Sequence, residues 1–279
     1  MQAVVNKIIP FSAVDGPGNR SVVFLQGCNL DCKYCHNPET RAVCIHCGNC
    51  VKACQSGALK TEQGKVFYDE EKCIRCDACI RVCPHDSTPK TKVMSPLEVF
   101  HLIQKQIPFI SGITVSGGEC TLYQAFIEEL FILCQSAGLT TMIDSNGMFD
   151  FSGSGELLKV TDGVMLDIKA FDEKQHIEVT GAENKQILHN AVLLAECGKL
   201  YEVRTVVVPG LFDAKETIQR TGKLLKPYLT LKDIRYKIIA YRPMGVRKAY
   251  AHYEVPDQKY LKSLELLLRE EGFQNIIII

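Results

Sequence analysis

The sequence predicts an α/β domain on a largely parallel sheet, doubly wound or barrel-like, interrupted by one small cysteine-rich insert. Three observations lead there. Strand-like and helix-like segments alternate along the chain, which implies repeated β–α units. Several apolar runs, "GVMLDI" and "VRTVVVPG" among them, are continuous, as in strands covered on both faces. And eleven of the 14 cysteines in 279 residues lie between Cys28 and Cys83.

In chain order, strands are expected at 21–27, 113–116, 140–145, 164–169, 200–208 and 234–241. Helical patterns fall at 96–106, 123–138, 155–160, 185–197, 215–226 and 257–271. Six units are fewer than the eight of a closed β/α barrel. The terminal "NIIII" is short enough for a buried strand. Polar or glycine-rich residues gather where strands end, in "SGGE", "DSNG", "LDIK" and "RTVVVPG"; that edge carries ligand sites in parallel β/α folds. Hydrophobic residues make up 46% of the chain, enough for a sizeable core, and the net charge of zero gives no sign of a nucleic-acid partner. No run approaches the roughly 18 apolar residues of a membrane span. The first residues carry no signal-peptide pattern, so a cytoplasmic location is expected.

A disulfide framework belongs to oxidising compartments and small secreted chains, so the cysteines point to metal. Cys44, Cys47, Cys50 and Cys54 have the spacing C-x2-C-x2-C-x3-C, and Cys73, Cys76, Cys79 and Cys83 repeat it. Tandem runs of this kind occur in two-cluster ferredoxins, whose fourth cysteine serves the other cluster. One [4Fe–4S] cluster is therefore expected on Cys44, Cys47, Cys50 and Cys83, the second on Cys73, Cys76, Cys79 and Cys54. Zinc sites favour pairs of C-x2-C instead. Gln55 replaces the proline that follows the second run, a change in a turn and not in a ligand. Cys134 and Cys197 lie in apolar helical patterns and read as buried structural thiols, and Cys120 reads as inert.

Cys28, Cys32 and Cys35 remain, spaced C-x3-C-x2-C. Three thiolates hold three corners of a four-iron cube. The fourth iron keeps an open position, useful where a substrate binds metal directly, as at an open catalytic zinc.

This triplet, with Tyr34 before its last cysteine and "SGGE" after the next strand, resembles the radical S-adenosylmethionine (radical SAM) superfamily. "DGPGNR", "YCHNPET", "SGGE", "DSNG", "VMLDIK" and "VRTVVVPG" are each similar to segments of the glycyl-radical-enzyme activases, such as the pyruvate formate-lyase-activating enzyme, and the insert resembles the subset with extra clusters, closest to the YjjW-type activases. The resemblance implies a partial (β/α)6 TIM-type barrel over residues 1–42 and 91–279 and a ferredoxin-like insert of two [4Fe–4S] clusters over 43–90. It implies three clusters in all and S-adenosylmethionine (SAM) bound through the open iron. Reductive cleavage would then give a 5′-deoxyadenosyl radical that takes hydrogen from a glycine of a partner glycyl radical enzyme. A flavodoxin or ferredoxin is the implied electron donor, and anaerobic metabolism the implied setting.

By the same resemblance, Gly117 and Gly118 meet the SAM amino group with Ser116 and Glu119 nearby, and Tyr34 packs beside the cluster or the adenine. Asp144, Asp167 and Lys169 orient the methionyl carboxylate and ribose; an alternative for the aspartates is a monovalent cation near the sulfonium. A mere ion pair between Asp167 and Lys169 is not expected. Arg204, a buried charge that needs a partner, is matched to the SAM carboxylate. Arg242 stands where the activases often have a histidine. Asp15 and Arg20 are placed near the docking face of the partner. Two rivals remain: a radical SAM enzyme acting on a small molecule or peptide, and a non-catalytic iron–sulfur electron carrier. Subtracting residues 44–83 leaves 239, which the barrel is expected nearly to consume, so neither a substrate domain nor a C-terminal SPASM-like cysteine motif is expected.

Overall fold

A computed structural model describes residues 1–279. The strands are β1 (Ala3–Ser12), β2 (Arg20–Leu25), β3 (Leu59–Glu62), β4 (Lys65–Tyr68), β5 (Lys92–Met94), β6 (Gly112–Gly117), β7 (Thr140–Ser145), β8 (Gly163–Asp167), β9 (Leu200–Val207), β10 (Arg235–Ala240) and β11 (Ile276–Ile278). The helices are α1 (Asn49–Lys52), α2 (Ala78–Arg81), α3 (Pro96–Gln104), α4 (Gln124–Ser136), α5 (Gly155–Lys159), α6 (Glu173–Thr180), α7 (Lys185–Glu196), α8 (Ala214–Leu225) and α9 (Gln258–Glu270).

Nine strands form one sheet in the order β11-β10-β9-β8-β7-β6-β2-β1-β5. From β2 to β11 every neighbouring pair is parallel and follows chain order without reversal. A doubly wound sheet reverses its strand order at a switch point; this one does not, and it winds as a barrel does. It stays open, with β11 and β5 at its edges. All six expected strands are present, and β11 adds a seventh parallel one. β11 is half-buried at the sheet edge and Ile279 is 51% exposed, so the terminal isoleucines do not form the buried strand expected of them. The antiparallel β1 and β5 escaped the sequence reading. β1 contains two register shifts against β2 and a proline, and bulges erase the two-residue period that marks a strand.

The two faces of the sheet differ. Val23, Leu25, Ile113, Val115, Ile143, Val164, Leu166, Val203 and Ile238 share a 39-residue apolar core with residues of α3, α4, α5, α7, α8 and α9. The alternate positions, Arg20, Thr114, Ser116, Asp144, Asp167, Glu202, Arg204 and Lys237, lie on the other face by the two-residue period. Helices therefore cover one face, and the face left over is polar. The helix starts follow local chemistry. Ser95 and Glu98 make a reciprocal capping box with Pro96 in the first turn of α3, and Asp172, Asp213 and Asp257 cap α6, α8 and α9. α6 shows no clear apolar period in sequence, because its buried positions are His176, Val179 and Thr180 and only one of these is an apolar residue.

The insert contains the β3–β4 hairpin and the one-turn helices α1 and α2, around a core of only Cys50, Leu59, Val66 and Cys79. Its repeated spacing gives repeated backbone. His46 and Gly48 in the first run, and Arg75 and Asp77 in the second, all take positive φ at corresponding positions. A bridge between Ala42 and Ser87 closes the neck of the insert. No helix is long and apolar enough to cross a membrane.

Candidate active site

The triplet lies on the loop that leaves β2. Its backbone is pinned by Gly27 N–H to Thr40 O (2.8 Å), Cys28 N–H to Arg41 O (2.8 Å), Asp31 N–H to Thr180 O (2.8 Å) and Lys33 N–H to Val179 O (2.9 Å). The buried Gln26 amide donates to Glu39 O and Ala42 O, both 2.7 Å, and closes the loop on itself. Cys32 is buried; Cys28 and Cys35 are half-buried. Burial pushes the Cys32 thiol up to about 12 against the pull of the Lys169 cation, and raises Cys28 and Cys35 too. Such thiols stay protonated until a metal takes the proton's place. His36, beside the triplet, turns its Nε2 to Arg242 O (2.8 Å) and offers no fourth ligand there. The three thiols share one short loop and raise one another's proton affinity, and the Asn146 amide lies 3.8 Å from Cys28 Sγ; as a donor set they are of the kind that holds three corners of a cluster.

"SGGE" is stapled to this loop. Gly118 N–H donates to Leu25 O (3.0 Å) and Glu119 N–H to Gly27 O (2.7 Å). A Cβ on Gly117 would stand 2.1 Å from Leu25 O, and one on Gly118 2.2 Å from Gly27 O. Both glycines are thus required by the approach of the β2 backbone, not only by a ligand. Glu119, 1% exposed, spends both oxygens on its surroundings: Oε1 accepts from Thr121 N, Thr121 Oγ1 and Ser145 Oγ, and Oε2 accepts from Asn146 N at 2.7 Å. It braces "DSNG" against "SGGE". Behind that loop, Asn190 donates to Gly147 O (2.7 Å) and Phe149 O (2.6 Å).

A chain of charges crosses the polar face. Ser116 Oγ donates to Asp144 Oδ2 (2.9 Å), and Arg204 Nη1 donates to Asp144 Oδ1 (2.9 Å). Arg204 Nε meets Glu202 Oε1, which Lys237 Nζ also reaches at 3.0 Å. Burial raises Asp144 from the ordinary carboxylate range, and Arg204 opposes that rise; burial lowers Arg204, but its two carboxylates outweigh it and hold it above the ordinary arginine value. The premise behind the Arg204 expectation changes: its Nε, Nη1 and Nη2 face Glu202, Asp144 and Met165 Sδ, so the buried charge is already partnered within the protein. Asp167 and Lys169 also depart from expectation, because they do form an ion pair (2.8 Å). Side chains two apart stand side by side on one face, which makes that contact easy. Lys169 Nζ lies 5.9 Å from the Tyr34 ring centroid. Tyr34 is 3% exposed and its hydroxyl has no partner.

Other expected positions fall elsewhere. Arg242 is exposed. Arg20 is fully buried at the opposite strand edge, donating to Pro17 O, Ile113 O, Thr140 O, Thr114 Oγ1 and Thr140 Oγ1, so it holds the barrel together and cannot meet a partner protein. The Asp15 carbonyl accepts from Thr114 Oγ1 at that same edge. Cys120 and Cys134 are buried; Cys197 is exposed at the end of α7, against expectation, because it stands past the last apolar turn. Asn146, Glu202 and Lys237 were missed. Glu202 alone left a sequence signal, a charge two residues before Arg204 in an apolar strand.

In the insert, one hollow is lined by Cys44, Cys47, Cys50 and Cys83, another by Cys54, Cys73, Cys76 and Cys79. These are the crossed quartets that the spacing predicts.

Residues 22–221 match the radical SAM superfamily. A pyruvate formate-lyase-activating enzyme of Streptococcus mutans is 35% identical over 249 residues, covering 87% of this chain and 78% of its own. A trans-4-hydroxy-L-proline dehydratase activating enzyme of Clostridioides difficile is 28% identical over 322 residues, covering 99% of each. The crystal structure of QueE from Escherichia coli shares the fold, with a TM-score of 0.53 over 100% of this chain and 94% of that one at 12% identity. The chain belongs to the radical SAM superfamily and is a relative of its glycyl-radical-enzyme activating enzymes.

Proposed function

We propose that the protein is a glycyl-radical-enzyme activating enzyme, an oxidoreductase that acts on a partner protein. The observation that carries the reading is a three-thiol loop stapled to "SGGE" and facing the charged end of the open sheet. A four-iron cluster on Cys28, Cys32 and Cys35, when bound, supplies the electron that cleaves SAM reductively, and the 5′-deoxyadenosyl radical takes hydrogen from a glycine of the partner. The chain's own residues do the rest. Asp144, held by Ser116 and Arg204, presents a fixed carboxylate to the ammonium of the methionyl part. Lys169, steadied by Asp167, presents a cation to its carboxylate. Backbone groups of Gly117 and Gly118 border the same space, and Tyr34 packs beside it with its free hydroxyl. A monovalent cation beside Asp144 would compete with Arg204, and potassium dependence of SAM affinity reads that directly.

In the insert, residues 43–90, the crossed quartets would hold two further [4Fe–4S] clusters, which would supply an electron path from a flavodoxin or ferredoxin. What supports this is that each hollow gathers one quartet. The insert also favours the YjjW-type branch. We place the protein in the cytoplasm of an anaerobically growing cell. The test is anaerobic mixing of purified protein, SAM, reductant and candidate glycyl radical enzymes. A doublet EPR signal of a glycyl radical is expected. Absence of the doublet with every partner, together with deoxyadenosine turnover driven by a small molecule, would favour the small-molecule reading.

A further inference from the structure

Where the insert meets the barrel, two arginines and two aspartates close a ring. Arg41 Nη2 lies 2.8 Å from Asp86 Oδ2 and its Nη1 3.6 Å from Asp31 Oδ2. Arg247 Nη1 lies 2.7 Å from Asp31 Oδ1 and 3.4 Å from Asp86 Oδ2. Arg247 Nη2 also donates to Cys32 O at 2.9 Å. Asp31 and Cys32 are on the triplet loop, Asp86 immediately precedes Ser87 at the insert's neck, and Arg247 comes from the segment after β10. We propose that Arg247 is a positioning residue: it holds the carbonyl of Cys32 and, through the shared carboxylates, fixes the insert at a set angle to the triplet. The proposal rests on the triplet being a cluster site.

Arg41 holds Asp86 more closely, but Arg247 alone joins that carboxylate to the Cys32 carbonyl in one side chain. The chain enters the insert at Ala42 and leaves at Ser87, and Ala42 N–H bonds to Asp86 O (3.1 Å), so the neck is a narrow hinge. On the far side the insert faces β1 and β5 across a cleft of about 800 Å3. That cleft is spanned by Lys92 and Glu70, 2.9 Å apart and each more than 60% exposed, and an exposed pair is worth little, about 0–1 kcal/mol. Arg247 is the better buried anchor, its side chain 19% exposed. A guanidinium presents two donors in a fixed plane, so one side chain engages both the loop carbonyl and the carboxylates. Losing it leaves two aspartates facing Arg41 alone beside the triplet, which adds negative charge where an electron has to arrive.

Anaerobically reconstituted full-length protein tests this by EPR-monitored redox titration, with and without SAM, at matched iron content. Arg247→Gln is expected to shift the triplet cluster's midpoint potential to more negative values and to weaken the SAM-induced change of its EPR signal. Arg247→Lys should restore the potential and restore the SAM-induced change only in part, because the fork is gone. Asp86→Asn leaves the Cys32 contact in place and should broaden the distribution of spin–spin distances between insert and triplet. An Arg247→Gln protein that matches wild type in potential and in SAM response overturns the proposal, as does an unbroadened Asp86→Asn. If Arg247→Gln does not load iron, Arg247→Lys and Asp86→Asn decide the matter. A wild-type signal indifferent to SAM would sink the proposed function itself, not this inference.

Discussion

The triplet loop and the insert use the same residue type in opposite ways. The triplet belongs to the barrel. Its loop is tied by backbone bonds to α6 and to the segment Thr40–Arg41, it lies against "SGGE", and Cys32 is buried. The insert leaves Cys47 and Cys76 exposed, and its apolar core has four members, two of them cysteines, against 39 in the barrel. A core that small does not stabilise a fold by burial, and domains of that kind depend on metal. The barrel shapes its three thiols, whereas the insert is shaped by its eight.

The largest effect that sharpens this contrast is chemical. Cys32→Ala should abolish SAM cleavage and lower iron content by about a third, the share of one four-iron cluster in three, while Cys76→Ser should leave dithionite-driven SAM cleavage intact and slow only delivery from a protein donor. Equal loss from both variants would erase the division of labour. Iron chelation comes next: amide exchange should rise across 43–90 and stay low in β6–β9, and uniform exchange would break the contrast.

Within the barrel, Glu202→Gln removes the carboxylate between Arg204 and Lys237. Breaking a buried pair costs about 3–5 kcal/mol, so denaturant midpoints should fall, with SAM affinity falling as Asp144 loses its anchor. Gly118→Ala pushes a Cβ toward Gly27 O and Thr40 O, both beside the triplet. Overpacking of that kind costs about 1–3 kcal/mol, and the readout is weaker SAM binding with the insert unchanged.

The smallest effect concerns pH. Burial lowers His176 and His36 below their ordinary value of 6.5. The unfolded chain then takes up these protons first, so stability is full above pH 6.5 and is lost as pH falls toward the folded values. His176→Gln should flatten that limb in a pH series of thermal melts, and an unchanged slope would remove His176 as its source.

Some of this architecture is local and was legible in the chain. Cysteine spacing is set by the reach of one loop around one cube, so the two quartets and the triplet could be told apart without coordinates. The strands at 164–169 and 200–208 announced themselves by the apolar runs "GVMLDI" and "VRTVVVPG", and those runs needed no distant partner to be read. The partners of the charges were not legible. Arg204 could be known as buried, but Asp144 stands 60 residues away and Glu202 two; only the register of β7, β8 and β9 brings all three to one face. The glycines of "SGGE" pointed to a close approach, and the fold revealed the approaching atoms as β2 backbone. Periodicity did not give the winding of the sheet, since one set of β–α units serves a doubly wound sheet and a barrel alike; the resemblance implied a partial barrel, and the strand order agrees with it. Sequence by itself determined the grouping of the cysteines and most β–α units, because ligand spacing and hydrophobic period act over a few residues. Tertiary structure alone decided the strand order, the charge chain and the ring that joins insert to loop, because each depends on groups far apart in the chain.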